Sequence, residues 1–155
     1  MTANTWNAAA SWTTIGSTEL DSLPSGSVGY LTTPGDNTTA LNTDAWFSVA
    51  LGSVAASAAA PSLDIYLLPL NADGVTYGDQ AAAVEGTQST TLPSPGYYVG
   101  SIRWQTNATA AALTGQLKMQ QELPPSKYLI AVVNNLGSAL NAAGNTLSIS
   151  TNSVA

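Results

Sequence analysis

"LPPSKYLIAVVNNLGSALNAAGNTLSIS", residues 123–150, contains two strand-like runs, 127–134 and 145–151, separated by a loop of Asn, Gly and Ala. The runs are rich in β-branched and aliphatic residues, and Gly, Pro and Asn punctuate their ends, which is the signature of strands joined by a turn. Neither run carries a typical catalytic group.

The same pattern extends outward from this stretch. In "AWFSVALGSV" (45–54), Phe47, Val49 and Leu51 alternate with Trp46, Ser48 and Ala50, and in "SLDIYLLPL" (62–70) Leu63, Ile65 and Leu67 share one face. Further strands are read at 11–18, 27–33, 97–104 and 113–119. Short strands divided by turn residues predict an all-β chain, an antiparallel jelly-roll or two-sheet β-sandwich. Its expected interior is Phe47, Val49, Leu51, Leu63, Ile65, Leu67, Ile130, Val132, Leu147 and Ile149, because a one-residue slip of register would expose the whole set. Two alanine clusters, 52–62 and 107–115, contain the best helix former, so either admits a turn of helix or a loop packed closely on the sheet. Residues 1–40, richer in Thr, Ser, Gly and Pro, read as an extended N-terminal arm with one or two strands. Residues 41–155 read as the sandwich, within one structural domain overall.

Composition narrows the chemistry. The 155 residues include no cysteine and no histidine. That removes disulfides, thiolate nucleophiles, the commonest metal ligands and serine triads of the usual kind. Three basic residues against nine acidic ones give a net charge of −6, whereas a nucleic-acid binder makes about 6–10 phosphate contacts. Neither nucleic acid nor an anionic membrane surface is therefore an expected partner. The opening "MTANTWNAAASWTT" has neither a basic nor an apolar segment, so no secretory leader is expected in it. Charged residues are only 8% of the chain, against roughly 25% in an average domain. A surface of Ser, Thr, Asn and Ala orders at low entropic cost and suits contact with other protein.

Few side chains invite chemistry. Asn71, Asp73 and Asp79 lie in a Gly-bearing loop whose oxygens could hold Ca²⁺, although the EF-hand spacing is absent and turn formation explains the same residues. Asp44, Asp64, Glu85 and Glu122 are the carboxylates outside obvious turns, as a glycosidase would need. Alternation puts Asp64 on the non-core face of its strand. A Ser–Lys dyad through Lys118 or Lys127 has no supporting motif. Among the aromatics, Trp46 and Trp104 fall in strands and are expected in the core. Trp6 and Trp12 fall in the arm and suit interface anchors, with Tyr30 as a further partner-binding candidate.

The elements of 122–150, namely Pro124-Pro125, the apolar strand 128–133, Asn134, Asn135 and Gly144-Asn145-Thr146, resemble the closing hairpin of jelly-roll capsid decoration (cement) proteins of tailed bacteriophages. "SLDIYLLPLNADGVTYGD" (62–79) is similar to a central strand and hairpin of the same pattern. The resemblance covers about the last two-thirds of the chain and rests on turn and strand signatures. It implies a non-enzymatic virion protein, made in the host cytoplasm and placed on the outer capsid surface. Its implied partners are the major capsid protein and itself, as a dimer or trimer, with no cofactor and no metal. The alternative expectation is a carbohydrate-binding sandwich with Tyr97 and Trp104 as stacking residues, and a weaker one is a glycosidase.

Overall fold

The computed structural model describes residues 11–32, 34–78, 84–119 and 122–152. They form ten strands: β1 (Thr13–Gly16), β2 (Val28–Tyr30), β3 (Gly35–Asp36), β4 (Asp44–Ala56), β5 (Ser62–Pro69), β6 (Gln88–Ser89), β7 (Tyr98–Arg103), β8 (Asn107–Lys118), β9 (Lys127–Asn135) and β10 (Thr146–Asn152). Each of the eight runs read from the sequence is a strand. The two pieces not anticipated, β3 and β6, are two residues long and too short to show a period. Among the described residues the one helical element is a 3₁₀ turn at Pro95–Tyr97.

All pairings are antiparallel, and they make two sheets. One has the order β1-β10-β4-β8. The other has the order β6-β2-β9-β5-β7, with β3 also paired to β9. The sheets pack face to face as a β-sandwich. All ten residues expected inside are buried in the shared core, joined there by Leu20, Leu23, Leu31 and Leu136.

The alanine cluster at 107–115 is strand rather than helix. Pairing of β8 with β4 sets Leu113 opposite Leu51 and Leu117 opposite Phe47, and Leu113 and Leu117 pack against the core. Burial of these leucines and the long ladder outweigh the few tenths of a kcal/mol per residue by which alanine favours helix.

The N-terminal region is more deeply built in than an arm. The first 40 residues supply β1, β2 and β3, and Ile15, Leu20, Leu23 and Leu31 lie in the core. Residues 1–10 lie outside the described residues.

A second apolar cluster covers part of the outer face of the second sheet. Val28, Tyr30, Leu68, Leu129, Ala131 and Val133 are buried there together with Tyr77, and Leu70 and Tyr97 pack on them. The β5–β7 connection supplies that cover. Its backbone also joins the edge of β2, with Tyr30 N–H donating to the Thr87 carbonyl at 2.8 Å. Consequently β9 is buried from Tyr128 to Asn134 on both faces, which accounts for its unbroken apolar run.

Loops are tied down by buried asparagines. Asn134 Nδ2 donates to the carbonyls of Leu23 (2.8 Å) and Ser138 (2.9 Å), while its Oδ1 accepts from Leu136 N–H (3.0 Å). Asn145 Nδ2 donates to Asp21 Oδ1 and the Asn141 carbonyl, and Asn37 bonds to Asn42 and Pro124. Neutral amides, each a donor and an acceptor, do here what ion pairs do in more charged proteins.

Candidate functional site

The two outer faces differ. On the first sheet, alternation turns Phe47 and Val49 inward and leaves rows of small polar side chains outside. Thr14, Ser148, Ser48 and Gln116 face one another across β1, β10, β4 and β8. Beside this row lie Thr146, Ala50 and Thr114 on one side and Trp46 and Lys118, with the buried Ser150, on the other. Trp46 is 38% exposed and Trp12, just before β1, is 47% exposed. The Lys118 ammonium sits 5.9 Å from the Trp46 ring centroid, a cation–π contact that holds the indole in place. Trp46, expected in the core, faces outward because its neighbour in the strand, Phe47, takes the inward position.

The other aromatic candidates are placed differently. Trp6 lies outside the described residues. Tyr30, expected to touch a partner, is fully buried in the second cluster, and its hydroxyl donates to the Thr91 carbonyl at 3.3 Å. It is covered by its own chain in the second cluster. Trp104 packs against the main core and donates its indole N–H to the Thr114 carbonyl at 3.0 Å. Tyr97 packs on the second cluster. Trp104 and Tyr97 belong to different clusters and form no common stacking surface.

The acidic candidates are dispersed. Asp73 Oδ1 accepts from the N–H groups of Val75 and Thr76, and its Oδ2 accepts from Thr76 Oγ1. Those bonds, the Thr76 hydroxyl first, hold its carboxyl below the ordinary range. Asn71 Nδ2 also turns to Thr76 Oγ1. The loop thus uses its oxygens to make a turn, and Asp79 lies outside the described residues. Among the described residues no three His, Cys, Asp or Glu side chains converge as metal ligands. Asp44 opens β4, Asp64 stands on the outer face of β5, Glu85 bonds to Tyr77 and Glu122 is exposed. No two of them share a hydrogen bond.

A cavity of about 500 Å³ opens between β3, the start of β9 and the turn after β5, lined by Asp36, Leu70, Val75, Tyr77, Glu85 and Lys127. Tyr77 donates to Glu85 Oε1 at 2.6 Å. Burial first, and this bond second, push its hydroxyl up to about 12. Lys127 Nζ lies 4.0 Å from Asp36 Oδ2, and hydrogen bonds from Thr38, ahead of that ammonium, hold the Asp36 carboxyl low. At neutral pH Tyr77 is protonated and Asp36 ionised, so neither is poised to exchange a proton.

On the uncovered half of the second sheet's outer face, Asp64 is the hub of a network. Its Oδ1 accepts from Ser62 Oγ (3.0 Å) and Ser101 Oγ (2.5 Å), and its Oδ2 accepts from Asn135 Nδ2 (2.8 Å). Tyr98 OH joins through Ser101 Oγ at 2.6 Å, and its ring meets Tyr66 edge-on at 5.6 Å. The outward position of Asp64 was legible from alternation. Tyr98 and Ser101 were not, because a register shift between Ile65 and Tyr66 breaks simple alternation across β5 and β7.

Comparison with protein-family models, curated proteins and solved structures returned no match to this chain.

Proposed function

We propose that this protein is a non-enzymatic structural component of a virus particle, a capsid decoration protein of a tailed bacteriophage. In this reading it binds the outer head surface, bridges major capsid protein subunits and stabilises the shell. The observation that carries the reading is the asymmetry of the two sheets. Part of one outer face is covered by the chain itself, while the other presents Trp12 and Trp46 among Ser, Thr and Ala. Small uncharged side chains lose little entropy when covered, and tryptophan is among the residues that most often dominate interface energy.

The strand order supports the same reading. Leaving aside the short β3 and β6, the orders β1-β10-β4-β8 and β2-β9-β5-β7 alternate early and late strands in both sheets. We read this as a jelly roll, two Greek keys wound together. Self-association as a dimer or trimer would multiply weak contacts through avidity on a symmetric shell.

The test is co-sedimentation of purified protein with undecorated heads at low and high salt. Native protein stays bound at both. Trp12→Ala with Trp46→Ala, or deletion of residues 2–10, releases it, since losing one aromatic anchor removes about 2 kcal/mol or roughly 30-fold in affinity. The deletion stops short of β1 because Ile15 and Leu20 belong to the core. Equal retention of native and variant protein sinks this reading.

A further inference from the structure

We infer that the open half of the second sheet's outer face, centred on Asp64, is a binding site for neutral saccharides. The inference does not depend on what covers the first sheet.

Three features make the argument. The first is a carboxylate fixed in position without a cation. Asp64 is held by two hydroxyls and one amide N–H, and the only ion pair among the described residues, Lys127 with Asp36, lies elsewhere. A carboxylate offers about four acceptor sites, so one on Oδ2 remains for a ligand hydroxyl. Asn135, having turned its amide nitrogen to Asp64, presents its carbonyl oxygen as a second acceptor beside the first. Two adjacent acceptors match the two donors of a vicinal diol.

The second feature is an apolar surface of fixed orientation. Tyr98 is 37% exposed, and its edge-on contact with Tyr66 prevents the ring from swinging away. A pyranose ring has an apolar face bounded by hydroxyls, and it lies well on such an aromatic.

Charge balance is the third. Arg103 lies two residues beyond Ser101 on the same face of β7, opposite Ser62, and it is exposed and unpaired among the described residues. With Asp64 it gives the floor one positive and one negative group. Guanidinium donors and carboxylate acceptors together suit hydroxyl groups, which both accept and donate. An anionic glycan gains from Arg103 what it loses to Asp64 within a protein of net charge −6.

The experiment probes full-length protein on an array of neutral and sialylated glycans, then follows cellopentaose and maltopentaose titrations by heteronuclear NMR. The expected result is retention of neutral glycans, with amide shifts confined to residues 62–66, 98–103 and 133–135. Tyr98→Ala and Asp64→Asn each weaken binding at least tenfold while circular dichroism stays native. Tyr98→Phe, which keeps the ring, retains most of it. The inference is overturned by absence of any retained neutral glycan, by preference for sialylated ones, by shifts mapping to Trp12 and Trp46, or by native affinity in folded Tyr98→Ala.

Discussion

Asn134 illustrates how much a single neutral side chain carries in a protein with few charges. It is fully buried and makes three hydrogen bonds, two of them to carbonyls on separate segments. Asn134→Ala strands the buried Leu136 N–H and takes one donor each from the Leu23 and Ser138 carbonyls, of which Leu23 keeps the Leu140 N–H, so a loss of about 2 kcal/mol is expected. Urea unfolding should display it as a lower midpoint with unchanged slope. Tyr77 makes a prediction about pH. Its folded value, raised to about 12 by burial and Glu85, lies above the unfolded value of about 10. The stability it contributes is therefore complete below pH about 10 and is lost as pH climbs toward 12. Burial raises Tyr66 and Tyr128 in the same direction. Alkaline melts should fall across that window, and Tyr77→Phe should fall less steeply; an identical profile for the variant would assign the loss to other groups. In the sequence, Asn134 reads as the last residue of a strand and Tyr30 as a partner-binding aromatic. Their burial depends on segments far away in the chain, which local pattern does not contain.

At the scale of elements, alternation was the reliable guide. It placed Phe47, Val49 and Leu51 in the core because β4 has one face on the interior and one on solvent. On β9 it placed Ile130 and Val132 in the main core but gave no sign that the other face is buried too, and it left 107–115 open between helix and strand until β4 provided a partner. β2 gives the sharpest test of packing. Gly29 sits so close to the Glu19 backbone that an added Cβ would lie 2.6 Å from the Glu19 carbonyl oxygen. Gly29→Ala must push that segment aside, at an expected cost of about 1–3 kcal/mol. A thermal melt equal to that of the native protein would mean the segment over β2 yields freely.

For the whole molecule, the open face on the first sheet sets the expected behaviour in assembly. Its outer rows carry two charges of opposite sign, Lys118 and Asp44, so attachment to heads should change little between low and high salt, unlike a contact steered by charged patches. Release of native protein by moderate salt would indicate that acidic residues elsewhere make the contact. The glycan site lies on the opposite sheet, so the Trp12 and Trp46 variants should keep saccharide binding and the Tyr98 variant should keep head binding.

The sequence by itself determined the β class, the eight longer strands, the inward set of the main core and the absence of histidine and cysteine chemistry. These are local properties: strand period, turn residues and composition are written within a few neighbouring positions. Tertiary structure alone decided that Tyr30 is buried, that Trp46 faces out, and that residues 13–31 belong to the sandwich. It also decided that Ser62, Asp64, Tyr98, Ser101 and Asn135 meet. Those outcomes depend on which strand lies beside which and on what the β5–β7 connection covers. They are set by pairings between segments 71 residues apart, as for Asp64 and Asn135, or 134 apart, as for Thr14 and Ser148, and no local period encodes such distances.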